Sequence, residues 1–309
     1  MPSTGDARTE SGVFSSISRR RAEGKSAVKY RARLVVLFYF LAFVSATQSQ
    51  AAEDFAQCPQ FFVKGMAPVV PAHTKHRALC YDAFAILHSG ESKTPVFVAQ
   101  KLNREAIAEA DEMRTNRFFP DARLRCVQRA TLDDYKGSGF DRGHIAPAGD
   151  MPTAQAMAQS FSLANMVPQA PLHSRGVWAS TVELATRKYA ARAAGDVYVI
   201  TGPVYVPSIA LSPSIGSGQV RVPKYLFKLV YDEHANRAWA YWHENTNTTR
   251  ASPPISHHEL VQRTGIFFAW GQVGAMRVLG QLFFSPTLPP SEVKPARRTL
   301  WWSNRAVEK

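Results

Sequence analysis

Tyr135-Lys136-Gly137-Ser138-Gly139-Phe140-Asp141-Arg142-Gly143-His144-Ile145-Ala146-Pro147 is the stretch whose reading decides the fold. Within it, Asp141 to His144 places a carboxylate, a guanidinium and an imidazole in four residues. The glycines before and inside it permit tight backbone turns, because Gly adopts φ > 0 without a Cβ clash. Histidine, with an ordinary pKa of about 6.5, accepts a proton near neutral pH. Arginine offers a planar fork that matches phosphate oxygens. A nearby Asp is able to orient an imidazole, although its partner is not legible from sequence. Taken alone, Asp141 and Arg142 also read as a surface ion pair and His144 as an ordinary loop histidine.

The motifs downstream decide between these readings. Asn165-Met166-Val167-Pro168-Gln169 is followed by Gly176-Val177-Trp178, by Glu183 and Arg187, and by Val199-Ile200-Thr201-Gly202-Pro203. Together with Asp141-Arg142-Gly143-His144, in this order and spacing, they resemble the DNA/RNA non-specific endonuclease family, the ββα-metal nucleases. The resemblance covers residues 84–270. It implies an α+β fold, with a mixed, largely antiparallel central sheet flanked by helices and a ββα-metal core. It further implies His144 as general base on water and Asp141 behind it. Arg142, Arg117 and Arg187 would then hold phosphate charge, and Glu183 metal-bound waters. The implied cofactor is one Mg²⁺, with Mn²⁺ as an alternative, and the implied partner is DNA or RNA held through its phosphate backbone, with weak sequence preference.

One position departs from the family. Its direct metal ligand is an Asn five residues after the Pro-Gln pair; Ser174 stands there instead. One extra residue also separates Trp178 from Glu183, an insertion that a π-bulge would absorb. His173 is the alternative ligand, since imidazole suits Zn²⁺ or Mn²⁺ better than Mg²⁺. The departure keeps two other functions open: a non-catalytic nucleic-acid-binding module with a degenerate metal site, and a phosphodiesterase of small nucleotides.

Composition sets the outer bounds. The chain has 309 residues, 45% hydrophobic, and a formal charge of +13. Residues 1–50 hold eight Lys/Arg and three Asp/Glu, a net +5, which leaves +8 on the remainder. That surplus suits a polyanionic partner, or simply confers solubility. Arg19-Arg20-Arg21 and four further basic residues precede an apolar run at residues 34–46. A bilayer needs about 20 such residues, so this run reads as the core of a signal peptide, with Ser49-Gln50-Ala51 as its cleavage site. The expected organisation is a leader at 1–51, an N-terminal extension at 52–80, the endonuclease domain at 81–284 and a basic tail at 285–309. The mature protein is expected in the periplasm or medium, without stable membrane association. Cys58 and Cys80 are the expected disulfide, which leaves Cys126 free and buried.

Strands are expected over residues 81–87, 96–98, 196–201, 225–231 and 237–242, the last two joined by a hairpin turn at 232–236. Leu102, Ala106, Ile107 and Ala110 recur at helical spacing and predict a helix over residues 100–114. Thr153 is expected to cap a short helix, residues 165–169 to be loop, and residues 175–194 to be the longest helix. Ser256-His257-His258-Glu259 has the form of a capping box on a helix ending at Gly265.

Overall fold

The computed structural model describes residues 55–71 and 75–268. The leader, its cleavage site and the basic tail lie outside the described residues. Ten strands are present among them: β1 His76–Cys80, β2 Ala85–Ser89, β3 Thr94–Leu102, β4 Asp141–His144, β5 Met166–Gln169, β6 Val197–Val204, β7 Ser214–Ile215, β8 Val220–Arg221, β9 Tyr225–Asp232 and β10 Arg237–Glu244. Six form one sheet in the order β1-β2-β3-β6-β9-β10, with every neighbouring pair antiparallel. β4 and β5 make a separate antiparallel ribbon that pairs Asp141 with Gln169 and His144 with Met166.

The central strand β6 is buried along seven of its eight residues. This explains its run of apolar side chains, where a half-exposed strand would alternate. One core cluster joins Phe84, Ile86 and Val98 of the sheet region to Ile145, Val167, Phe161 and Trp178. The ribbon and the helix after it are therefore packed on the sheet through a shared core, and burial of that apolar surface fixes their relative placement.

Several elements differ from expectation. β1 lies in residues read as irregular, and β2 begins four residues later than the predicted strand. The helix predicted over 100–114 is only α1, Arg104–Ala108, because β3 runs on to Leu102 and pairs it with Val197. Long-range pairing there overrides local periodicity. Residues 166–169, expected as loop, form β5; Pro168 is tolerated because a two-stranded ribbon leaves one edge free of ladder bonds. The four-residue α2, Leu132–Tyr135, precedes the ribbon. Thr153 Oγ1 accepts from Ala156 N at 3.1 Å and caps α3, Ala154–Ser160, as expected. The expected long helix is a π-helical segment, His173–Glu183, that continues into α4, Leu184–Ala190. Ser256 caps α5, His257–Thr264, and Gly265 ends it at φ +67°.

Cys58 and Cys80 are disulfide-bonded across a separation of 22 residues, which ties the N-terminal section to β1. Closing a loop of this size stabilises by ~3 kcal/mol in the chain-entropy account. Cys126 is free but exposed, contrary to expectation. It opens a short 3₁₀ turn, Cys126–Gln128, that buries none of its residues. Among the described residues no helix is long and apolar enough to cross a membrane.

Candidate active site

β4 carries the decisive residues, and its two ends are fixed by different means. Gly137 and Gly139 approach it at φ +67° and +79°, values that residues with a Cβ rarely adopt. At the exit, Asn165 Oδ1 accepts from Ala146 N at 2.9 Å, while its Nδ2 donates to the carbonyls of Ala146 and Ser160, both at 2.9 Å. The buried Asn165 thus clamps the chain just after His144. In the middle, Gly143 has no room for a side chain: an added Cβ would collide with the side chain of Gln169, 2.6 Å from its own Cβ.

Against this ribbon lies a pocket of about 500 Å³, walled by Arg142, His144, Ser174, Glu183, Arg187 and Arg114. The half-buried His144 ring meets Phe161 edge-on at 5.0 Å and Phe118 at 5.8 Å. Its Nε2 is buried without a hydrogen-bond partner among the described residues. Burial, reinforced by the charges of Arg114 and Arg142, lowers its pKa to about 3. The imidazole is therefore neutral, and able to accept a proton, throughout the physiological range. Arg142 lies over the Phe118 ring at 4.2 Å, and Arg114 over Phe161 at 5.3 Å, so aromatic faces hold both guanidinium groups beside His144.

The far wall is a cluster of charges. Arg187 Nε donates to the buried Asp150 at 2.8 Å. Gly149 permits the close approach of Arg187, whose Nη2 would lie 2.8 Å from any Cβ added there. Burial pushes the Glu183 carboxyl up to about 7, against the opposing pull of Lys228. Lys228 is itself buried, its pKa lowered by burial, and its Nζ donates to Thr201 Oγ1 at 2.8 Å.

Of the residues expected at the site, Asp141, Arg142, His144, Ser174, Glu183 and Arg187 line this one pocket. Arg117 does not. Both it and Arg114 are exposed, but Arg114 lines the pocket. The segment after α1 is not helical, so a three-residue offset there changes which way a side chain points; nothing in the sequence marked Arg114. Asp141 is not behind His144. Successive strand residues face opposite sides, and Asp141 is taken by Arg175, Nε to Oδ2 at 2.7 Å. His173 is no pocket ligand. It is buried, with Nδ1 3.1 Å from Gln169 Nε2 and Nε2 3.4 Å from His243 Nδ1.

No group of three His, Cys, Asp or Glu able to hold a metal ion occurs among the described residues. What the pocket offers is oxygen: the Ser174 hydroxyl, the Gln169 amide and the Glu183 carboxyl line it together. Such a donor set fits a hard cation that keeps most of its waters, and does not fit zinc, because the histidines His173 and His243 are engaged with each other.

An antiparallel sheet backing a two-stranded ribbon and helix, with a neutral imidazole, a carboxyl group and several guanidinium groups in one pocket, defines a ββα-type nuclease scaffold. The chain belongs to the DNA/RNA non-specific endonuclease family, whose model matches residues 64–272. It is 32% identical over 184 residues to "Nuclease EXOG, mitochondrial" of Xenopus laevis, covering 53% of this chain and 51% of that protein. It is 33% identical over 165 residues to "Endonuclease G, mitochondrial" of Homo sapiens, covering 51% and 52%. The chain thus spans about half the length of these relatives. Among solved structures, that of the EndoG/EndoGI complex shares the fold, with a TM-score of 0.58 at 23% identity over 70% of this chain and 91% of the other.

Proposed function

We propose that this chain is a metal-dependent, sequence-non-specific endonuclease that hydrolyses phosphodiester bonds of DNA or RNA. The observation that carries the reading is His144: a neutral imidazole with an unpartnered Nε2, in a pocket walled by Arg142, Arg114 and Arg187. In this reading a water molecule attacks phosphorus while His144 takes its proton. The bond from phosphorus to the leaving oxygen breaks, the leaving oxygen takes up a proton from solvent water, and His144 returns the proton it has gained to solvent. The arginines bind the phosphate oxygens and hold the scissile group against the base. Because these contacts address the backbone and not the bases, sequence preference is weak. A divalent cation, Mg²⁺ or Mn²⁺, would sit among the oxygens of Ser174, Gln169 and Glu183, where it supplies neutralisation of charge developing on phosphate and leaving oxygen. The test is cleavage of plasmid DNA and of RNA in Mg²⁺ buffer. Cleavage that EDTA abolishes is the expected result; undiminished cleavage in EDTA refutes the metal requirement.

A second reading, a nucleic-acid-binding module without catalysis, is favoured by one observation: a serine hydroxyl at position 174. Retention of DNA with no cleavage at any Mg²⁺ concentration selects it.

The same reading makes this an exported enzyme of the periplasm or medium, without stable membrane association. Support comes from the basic and apolar leader sequence and from the Cys58–Cys80 disulfide, which suits an oxidising compartment. N-terminal sequencing of the secreted or periplasmic protein is expected to begin near Ala52. Full-length protein retained in the cytosol or stably in the membrane refutes export.

A further inference from the structure

A feature of the ribbon remains without a task. Gln169 is almost fully buried, at 1% exposure, yet its side chain reaches the pocket wall. Its two amide atoms are distinguishable by their neighbours. Nε2 lies 3.1 Å from His173 Nδ1, and an amide NH₂ only donates, so that ring nitrogen is the acceptor. His173 then carries its proton on Nε2, which faces His243 Nδ1 at 3.4 Å. The histidine pair therefore fixes one end of the amide.

The other end follows. With Nε2 held by His173, Oε1 is turned toward β4, into the space that a side chain at Gly143 would fill. No donor reaches Oε1 among the described residues. A carboxamide oxygen held in place on the pocket lining, without a hydrogen bond, is a ready ligand for a hard cation. Ser174 lines the same pocket but offers an alcohol, the weaker donor.

We infer that Gln169 Oε1, and not Ser174 Oγ, is the amide oxygen through which the protein binds the divalent cation, with His173 and His243 as the positioning residues that aim it. The inference rests on the metal-dependent reading above and assigns its ligand. It also gives the glycine at position 143 a reason beyond backbone freedom: only a hydrogen there leaves room for the ligating amide.

Direct titration of the mature protein with Mn²⁺, followed by the electron paramagnetic resonance signal of free Mn²⁺ and by Mg²⁺ competition, tests this without reference to cleavage. Gln169→Leu is expected to weaken Mn²⁺ binding by about tenfold or more, a typical loss when one ligand or its support is removed. Gln169→Glu, which keeps an oxygen there, is expected to bind at least as tightly as the parent. Ser174→Ala is expected to change the affinity by less than about threefold, and His173→Phe to fall between Ser174→Ala and Gln169→Leu. If Gln169→Leu fails to fold, judged by circular dichroism, Gln169→Asn takes its place: an amide one methylene too short to reach should weaken binding in the same way. Parent-like affinity in folded Gln169→Leu or Gln169→Asn, or a loss confined to Ser174→Ala, overturns the inference and leaves the endonuclease reading standing. A parent protein that binds no Mn²⁺ yet cuts DNA in EDTA overturns the metal-dependent reading itself.

Discussion

Asp141 accepts two hydrogen bonds from Arg175, from Nε at 2.7 Å and from Nη2 at 2.5 Å. The fork engages both carboxylate oxygens, so Asp141 is committed to the π-helical segment and is not the partner of His144. Arg175 is largely exposed, 74% for its side chain, and exposed pairs contribute little. A double-mutant cycle of Asp141→Asn and Arg175→Gln in urea denaturation is expected to give a coupling of at most about 1 kcal/mol. Asp141→Asn is expected to retain much more activity than His144→Ala. Equal losses in the two would restore Asp141 to the base.

His144→Ala is expected to lower the cleavage rate by about 10² to 10⁴ while leaving fold and DNA affinity in place, the usual contribution of a general base. Rates on plasmid DNA and retention on a DNA filter check both halves. Because burial holds the His144 pKa down to about 3, no titration of this residue should appear in the pH–rate profile near 6.5. Parent-like cleavage by His144→Ala refutes the mechanism.

The acid limb is expected from Glu183, whose carboxyl is raised from 4.5 to about 7, chiefly by burial. Below pH 7 it takes up a proton and the rate falls. The sign for stability is opposite. An acid whose pKa is higher in the folded protein disfavours folding when ionised, so the cost is absent below pH 4.5, grows through pH 7 and is complete above it. Glu183→Gln should therefore melt higher than the parent at pH 8, match it at pH 4, and cleave slowly at both. A variant that melts lower at pH 8 contradicts this account.

Arg114→Ala is expected to raise KM and reduce the salt dependence of DNA binding by about one phosphate contact, whereas Arg117→Ala should do neither. Arg114 is on the pocket wall and Arg117 is off it. Binding isotherms at several salt concentrations distinguish them, and the opposite result would return the role to Arg117.

His88, 1% exposed in β2, has its pKa lowered to about 4 by burial. The unfolded chain protonates it near 6.5, so stability is unaffected above that pH, falls between 6.5 and 4, and levels off below. A shift of this size corresponds to about 3 kcal/mol. Thermal melts of His88→Gln should show a flatter acid limb than the parent; an unchanged limb places acid sensitivity elsewhere.

Much of the site was legible from sequence because its motifs are local. Asp141 to His144 fall on one strand, and Glu183 and Arg187 are one turn apart on the helix, so spacing alone put them together. The hairpin of β9 and β10 was legible for the same reason. What failed was set by distant partners. Leu102 is in a strand because Val197 pairs with it, and residues 166–169 are in a strand because β4 lies alongside. Neither partner is near in sequence. Arg114 and Arg117 look alike in sequence, and both are exposed; only the fold sets Arg114 on the pocket wall. Gln169 was visible as part of a motif, but its two amide ends acquire different neighbours only in three dimensions.

The π-helical segment carries one last consequence. Its wide turns hold Trp178 in the core and Glu183 on the pocket wall although an added residue separates them. Position along this helix is consequently not a reliable coordinate. Two relatives that differ by one residue here would present the same side chains to the same neighbours, and matching them by count would misplace either the tryptophan or the glutamate. Correspondence across this segment has to be drawn in space, from the core on one side and from the pocket on the other.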